Sequence, residues 1–161
     1  MTVDGFLKPF TLRIWVKAPR EALHRAWSNS SELERWFVHR AQYFDANGEP
    51  VPDAVKGGTY RWEWIDGTND EASVIDVEES KIRYGWYSNR GWIEVRFKTH
   101  GDETLVELSQ GMDQGTEDER LAAQVDCHLG WTFFLANLKS VYEGGIDLRE
   151  TDPTRVPVLN Y

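Results

Sequence analysis

A single cysteine, Cys127, stands in 161 residues. It excludes an internal disulfide framework and any zinc site built from several thiolates. Basic residues are scarce: 18 Lys and Arg face 27 Asp and Glu, a net charge of −9. A nucleic-acid or anionic-membrane binder needs a basic face, so neither kind of partner is expected. No run of about 18 apolar residues occurs, so nothing is expected to insert in a membrane. The start, MTVDGFLKPF, lacks a basic stretch followed by an apolar one. It reads as carrying no signal peptide, which makes the cytoplasm the expected location. Gly-x-Ser-x-Gly, His-Glu-x-x-His and Gly-rich phosphate loops are all missing, and no cofactor is expected. Rings, by contrast, are plentiful: eight Trp, six Tyr and seven Phe. Much of the interior must be built of them.

The length suits one domain, which can bury roughly 70% of its unfolded surface without disulfide or metal. Residues 9–18 alternate, with Phe10, Leu12, Ile14 and Val16 on one face and Trp15 out of pattern on the other. That spacing predicts a half-buried strand. Pro19 suits the first turn of a helix carrying Leu23, Ala26 and Trp27 and ending near Ser28-Asn29-Ser30. Ser31 with Glu34 forms a capping-box pattern, predicting a second short helix with Leu33, Trp36 and Phe37. Residues 39–44 read as a short strand and 45–56, with Asn-Gly and two prolines, as a loop. Gly57-Gly58 opens an aromatic strand with Tyr60, Trp62 and Trp64 on one face. Strands near 71–78, 80–87, 92–99 and 103–110 follow, joined by turns at 66–69, 89–91 and 100–102. This is a meander of antiparallel strands.

Thr116 with Glu119 makes another capping-box pattern, and no proline interrupts the chain from there to Glu143. Leu121, Val125, His128, Trp131, Leu135, Leu138 and Tyr142 form one stripe at helical spacing. The helix they predict is roughly 40 Å long, with Gly144-Gly145 as its stop. Gly130 should cost it about 1 kcal/mol, tolerated here because a missing side chain lets the helix approach a neighbour.

This order of elements resembles the START/Bet v 1-like (SRPBCC) superfamily and, within it, the family named after the Hsp90 ATPase activator homologue. The matching residues are Ile14, Ala18-Pro19, Trp27, Trp36, Gly57-Gly58, Trp86, Thr104, Val106, Gly130-Trp131, Leu135 and Leu138, over about residues 9–143. The resemblance implies an α+β helix-grip fold. In it a curved antiparallel sheet wraps a long C-terminal helix, with two short helices after the first strand and a cavity between sheet and helix. It implies function more loosely. Such proteins carry lipids, steroids, hormones or polyketides, and a few are cyclases or hydrolases. The co-chaperone branch joins this domain to a second, Hsp90-binding one, for which this chain offers no room.

One domain is therefore expected over residues 1–145, followed by a tail over 146–161. The tail mixes charges with Ile146, Leu148, Val156, Val158 and Leu159, too many aliphatics for a disordered segment. It should pack on its own domain or across a homodimer partner. Alternation and the helical stripe place Trp62, Trp64, Tyr84, Trp86, Phe97 and His128 around an internal cavity as candidate ligand contacts. The alternative is that these rings fill the interior solidly. No residue is assigned as catalytic. Glu21 and His24 sit three apart on a helix, but no further ligands accompany them, and no metal is expected. Arg61, Glu63, Glu94, Arg96 and Lys98 read as a solvated outer face with cross-strand ion pairs. The leading function is non-enzymatic binding of a small hydrophobic or aromatic molecule. The alternatives are an enzyme in the same cavity using His128 or Glu63 with Gln110 or Gln124, and a co-chaperone-like adaptor.

Overall fold

Alternation along the first apolar segment becomes strand β1 (Phe10–Val16), whose inward Phe10, Leu12 and Ile14 are half-buried and Val16 fully buried, and whose Trp15 remains 44% exposed beside His100. The computed structural model describes residues 3–161. Met1 and Thr2, the first residues of the segment read as lacking a signal peptide, lie outside them. A short helix α1 (Val3–Leu7) precedes β1; its five residues are too few for apolar periodicity to reveal.

Helix α2 (Arg20–Ser28) starts after Pro19, and α3 (Ser30–Leu33) follows at once. The cap of α3 corrects the sequence expectation. Asn29, not Ser31, accepts the Glu32 N–H at 3.1 Å. Glu34 is then free of any capping role and accepts from the Ala41 N–H instead. The helix stops after Leu33, so Trp36 and Phe37 sit in turns, held partly by the Trp36 indole N–H donating to the Ala26 carbonyl at 3.0 Å.

Seven further strands complete the sheet: β2 (Arg40–Phe44), β3 (Pro50–Val51), β4 (Thr59–Glu63), β5 (Asn69–Glu78), β6 (Lys81–Trp86), β7 (Gly91–His100) and β8 (Glu103–Met112). Their order is β1-β8-β7-β6-β5-β4-β2-β3, and every pair is antiparallel. The two-residue β3 lies within the segment read as loop. On the outer face Glu107, almost fully covered, is bracketed by Arg13 and Lys98, and Glu94 by Arg83 and Arg96.

Helix α4 (Glu117–Tyr142) begins at a complete Thr116/Glu119 capping box. It lies against the sheet with α2 and α3, forming the helix-grip arrangement of one long helix held by a curved sheet. Its buried face is Ala123, Gln124, Cys127, Trp131, Phe134, Leu135, Asn137 and Leu138. Leu121, Val125 and His128, counted in the apolar stripe, are only half-buried. Over its first half the helix is thus turned from the phase of the stripe toward Ala123, Gln124 and Cys127, whereas Trp131, Leu135 and Leu138 of the stripe are buried as expected; two polar residues, Gln124 and Asn137, belong to the inner face. Gln110 of β8 accepts from the Trp131 indole at 2.7 Å and donates to Gln124 at 3.1 Å, and Gln124 donates to the Lys8 carbonyl at 2.9 Å. Asn137 donates to the Trp36 carbonyl at 2.8 Å.

The core between the layers is largely aromatic. Trp27 meets Trp36 edge-on at 4.7 Å, Phe37 stacks on Trp131 at 4.9 Å, and Tyr60 stacks on Trp62 at 3.8 Å. Such pairs add about 0.5–1.5 kcal/mol beyond area burial. Tyr43 and Tyr84 both donate to the Trp27 carbonyl, at 2.8 and 2.7 Å, so their buried hydroxyls are satisfied.

After Gly144 the chain turns back over the domain. Asn137 Oδ1 accepts from the Leu148 N–H at 2.7 Å, and Asn137 Nδ2 donates to Asp147 at 3.0 Å. Arg149 donates to the carbonyls of Val38 (2.9 Å) and Glu34 (2.7 Å) and pairs with Asp147. Asn160 donates to the Leu148 carbonyl.

Candidate functional site

In an antiparallel meander, alternate turns fall at the same end of the sheet. The β4–β5 turn and the β6–β7 turn therefore share one end, opposite the middle of α4. Between them lies an open cavity of 760 Å³. Trp64, half-buried just past β4, and Trp86, the last residue of β6, form its floor with Phe133 and Phe134 of α4. A recess of 130 Å³ shares the walls Trp64, Trp86, Cys127, Gly130 and Phe134 and reaches Phe37 and Trp131. Leu159 and Tyr161 of the tail stand at the mouth, and Tyr161 also lines a 220 Å³ cavity on the far side of Trp64.

The β6–β7 turn is an unusual piece of backbone. Tyr87, Ser88 and Asn89 take φ values of 53°, 54° and 63° in succession. Left-handed backbone costs roughly 1–2 kcal/mol per ordinary residue and less for Asn. Asp70, buried at the start of β5, supplies the compensation. Its carboxylate accepts the Tyr87 N–H at 3.1 Å, the Ser88 N–H at 2.7 Å and the Tyr60 hydroxyl at 2.6 Å. Asn89 turns inward so that its Oδ1 accepts the Ser73 N–H at 3.0 Å, in space left open because residue 85 is glycine. One carboxylate thus fixes the shape of one side of the cavity.

Gly130 corrects another expectation. A Cβ on it would meet nothing within 4 Å, so it does not mediate a close helix contact. It borders the cavity, and its missing side chain leaves that space open.

Two of the groups facing the cavity, Tyr87 and Cys127, are held in their neutral forms near pH 7. Burial pushes the Tyr87 phenol up to about 12, helped by the nearby Cys127 and Asp126. Burial likewise pushes the Cys127 thiol up, although the Trp86 indole donates to its sulfur at 3.4 Å. A raised thiol pKa leaves little thiolate, so Cys127 is a poor nucleophile.

The six residues expected around a cavity divide here. Trp64 and Trp86 line it. Trp62, Tyr84 and Phe97 do not: each is at most 1% exposed and packed within the core, with Trp62 and Tyr84 5.1 Å apart and Phe97 against His24. His128 is not at the cavity either. It follows Cys127 by about 100° around the helix and packs on Phe10 at 5.0 Å, toward β1. Gln110 and Gln124 are committed to the core network, and Glu63 lies on the outer face with Arg61. Sequence reasoning missed Asp70, Tyr87, Asp126, Phe133 and Phe134. The two turns were legible as turns; their shared end was the available signal.

A long helix gripped by a curved antiparallel sheet, with a ring-floored cavity at one end, defines the helix-grip class. The chain belongs to the family described as activator of Hsp90 ATPase homolog 1-like protein, whose model matches residues 17–143. Solved structures share the fold. The protein SSP2350 from Staphylococcus saprophyticus is 18% identical, with 89% of this chain and 98% of that one covered and a TM-score of 0.69. The Aha1 dimer from Colwellia psychrerythraea is 19% identical, with 86% and 98% covered and a TM-score of 0.69. CalU16 from Micromonospora echinospora is 20% identical, with 80% and 71% covered and a TM-score of 0.61. No curated protein matches the chain. Among the described residues no helix is long and apolar enough to cross a membrane.

Proposed function

We propose that this protein binds a small molecule with an apolar or aromatic body in the cavity between α4 and the β4–β5 and β6–β7 turns, without transforming it. The observation that carries this reading is the 760 Å³ cavity itself, within the size range of small-molecule sites and floored by Trp64, Trp86, Phe133 and Phe134. Trp64 and Trp86 are the proposed contacts from the original set, with Trp62 behind Trp86 at 6.1 Å as supporting wall. Tyr84 and Phe97 serve the core, and His128 has no role in this reading. An enzyme would need an acid or base poised near pH 7. Tyr87 and Cys127 have values moved away from neutrality, which favours binding alone. Because the Colwellia relative is a dimer, a homodimer is the assembly proposed for this chain.

The test uses the neutral fluorophore N-phenylnaphthylamine and the variant Gly130→Leu. Leucine is a better helix former than glycine by roughly 1 kcal/mol, and its side chain enters open space, so the variant should fold and fill the cavity. Wild type should brighten the probe, and the variant should lose at least about tenfold in affinity, equivalent to about 1.4 kcal/mol. Equal binding by both proteins would refute the site.

A further inference from the structure

The cavity's floor and its rim point to different parts of one ligand. Trp64 and Trp86 lie 6.3 Å apart at 73°, and Trp86 and Tyr87 lie 5.9 Å apart at 66°. Three electron-rich rings near right angles make a corner, and all three face the cavity. The negative faces of Trp and Tyr attract a cation, most strongly an alkylated ammonium that water holds weakly.

The rim carries matching charge. Asp126 projects from α4 at the mouth and forms no ion pair among the described residues. Asp66 accepts both the Thr68 N–H and hydroxyl on Oδ1, leaving Oδ2 open. Asp70 is hydrogen-bonded only to neutral donors, so its charge is not offset by a cation. The cavity's single basic side chain, Arg90, is drawn away to Glu119 at 3.4 Å. Burial is the main cause of the raised Tyr87 phenol, and Asp126 adds to it from across the mouth. The net charge of −9 acts in the same direction at long range.

Resting on the binding reading above, we propose that the ligand is an organic cation. An alkylated or protonated amine sits in the corner of Trp64, Trp86 and Tyr87 facing Asp126, and an apolar body extends over Phe133 and Phe134 into the recess beside Gly130.

The test is a matched set on one ring system: naphthyltrimethylammonium, its uncharged isostere tert-butylnaphthalene, and naphthalenesulfonate. Binding is followed by intrinsic tryptophan fluorescence of the full chain. The cation should bind about tenfold tighter than the isostere, and the sulfonate weakest. Asp126→Asn should narrow that gap by about threefold while leaving the isostere's affinity unchanged. Raising NaCl from about 50 to about 500 mM should weaken the cation alone. Gly130→Leu should block every member that binds. An isostere that binds as tightly as the cation, blocked by Gly130→Leu, overturns the cation assignment and leaves the cavity as a binding site. A preference for the sulfonate does the same. If Gly130→Leu affects no member, the cavity reading falls and the cation falls with it.

Discussion

Asn137→Ala tests how the tail is fastened. The Asn137 side chain is fully buried and makes three hydrogen bonds: to the Trp36 carbonyl at 2.8 Å, to Asp147 at 3.0 Å and from the Leu148 N–H at 2.7 Å. The three losses are unequal. Trp36 is itself buried, so its carbonyl would lose a partner that water replaces poorly, costing about 1–3 kcal/mol. Asp147 and Leu148 are exposed and can turn to solvent, at a few tenths of a kcal/mol each. The sum is roughly 2–3 kcal/mol. For a chain of this size that lowers Tm by about 4–12 °C, measured by circular dichroism. Tail release should accompany it, with trace trypsin cutting after Arg149 and Arg155 faster than in wild type. A drop in Tm with the tail still fully protected would refute the fastening. So would rapid tail cleavage with no change in Tm, because the Trp36 carbonyl cannot lose its partner freely.

Two further outcomes follow from the same hydrogen bonds and from the β6–β7 turn. Burial raises the Asp147 pKa, but hydrogen bonds from Arg149 and Asn137 and the Arg149 charge outweigh it, leaving the group below its ordinary 3.8. A depressed value contributes stability that is present above pH 3.8 and lost as pH falls through the folded-state value, so cleavage of the tail by a pepsin-type acid protease should rise only below about pH 4; tail release already at pH 6, followed by amide exchange, would contradict it. Asp70→Ala removes the acceptor that holds two left-handed residues and should cost about 2–4 kcal/mol in urea denaturation, with fast amide exchange at Tyr87 and Ser88; protected amides in the variant would show that the turn keeps its shape unaided.

Most of the fold was legible because its signals are local. Alternation marks β1, β4 and β7, and the Thr116/Glu119 box marks the start of α4 to the residue. The resemblance supplied the way these parts assemble. What failed did so for two reasons. Hydrophobic pattern assigns a helix its inner face, and it assigned His128 inward while missing Asn137, which is fully buried through hydrogen bonds that no apolar count registers; Gln124 was read as inward, but as a cavity group and not as part of a core network. The cap of α3 failed because Ser31 and Asn29 are both good caps, and only the chain's entry into the helix decides between them. The candidate site was half legible. Trp64 and Trp86 came from alternation. Asp70, Tyr87 and Asp126 come from three separate elements, and only the meander's geometry brings them to one mouth.

Gln110 holds Trp131 and Gln124 at once, and those two residues stand seven apart on α4, two turns of helix. A side chain gripping successive turns acts as a key in a slot: the helix can neither roll nor slide along the sheet without breaking both bonds. The stretch of α4 that walls the cavity lies alongside this key. That wall is therefore the stationary jaw of the site, set when the chain folds, and any widening to admit a molecule must come from the opposite side, from the two turns and the tail residues at the mouth.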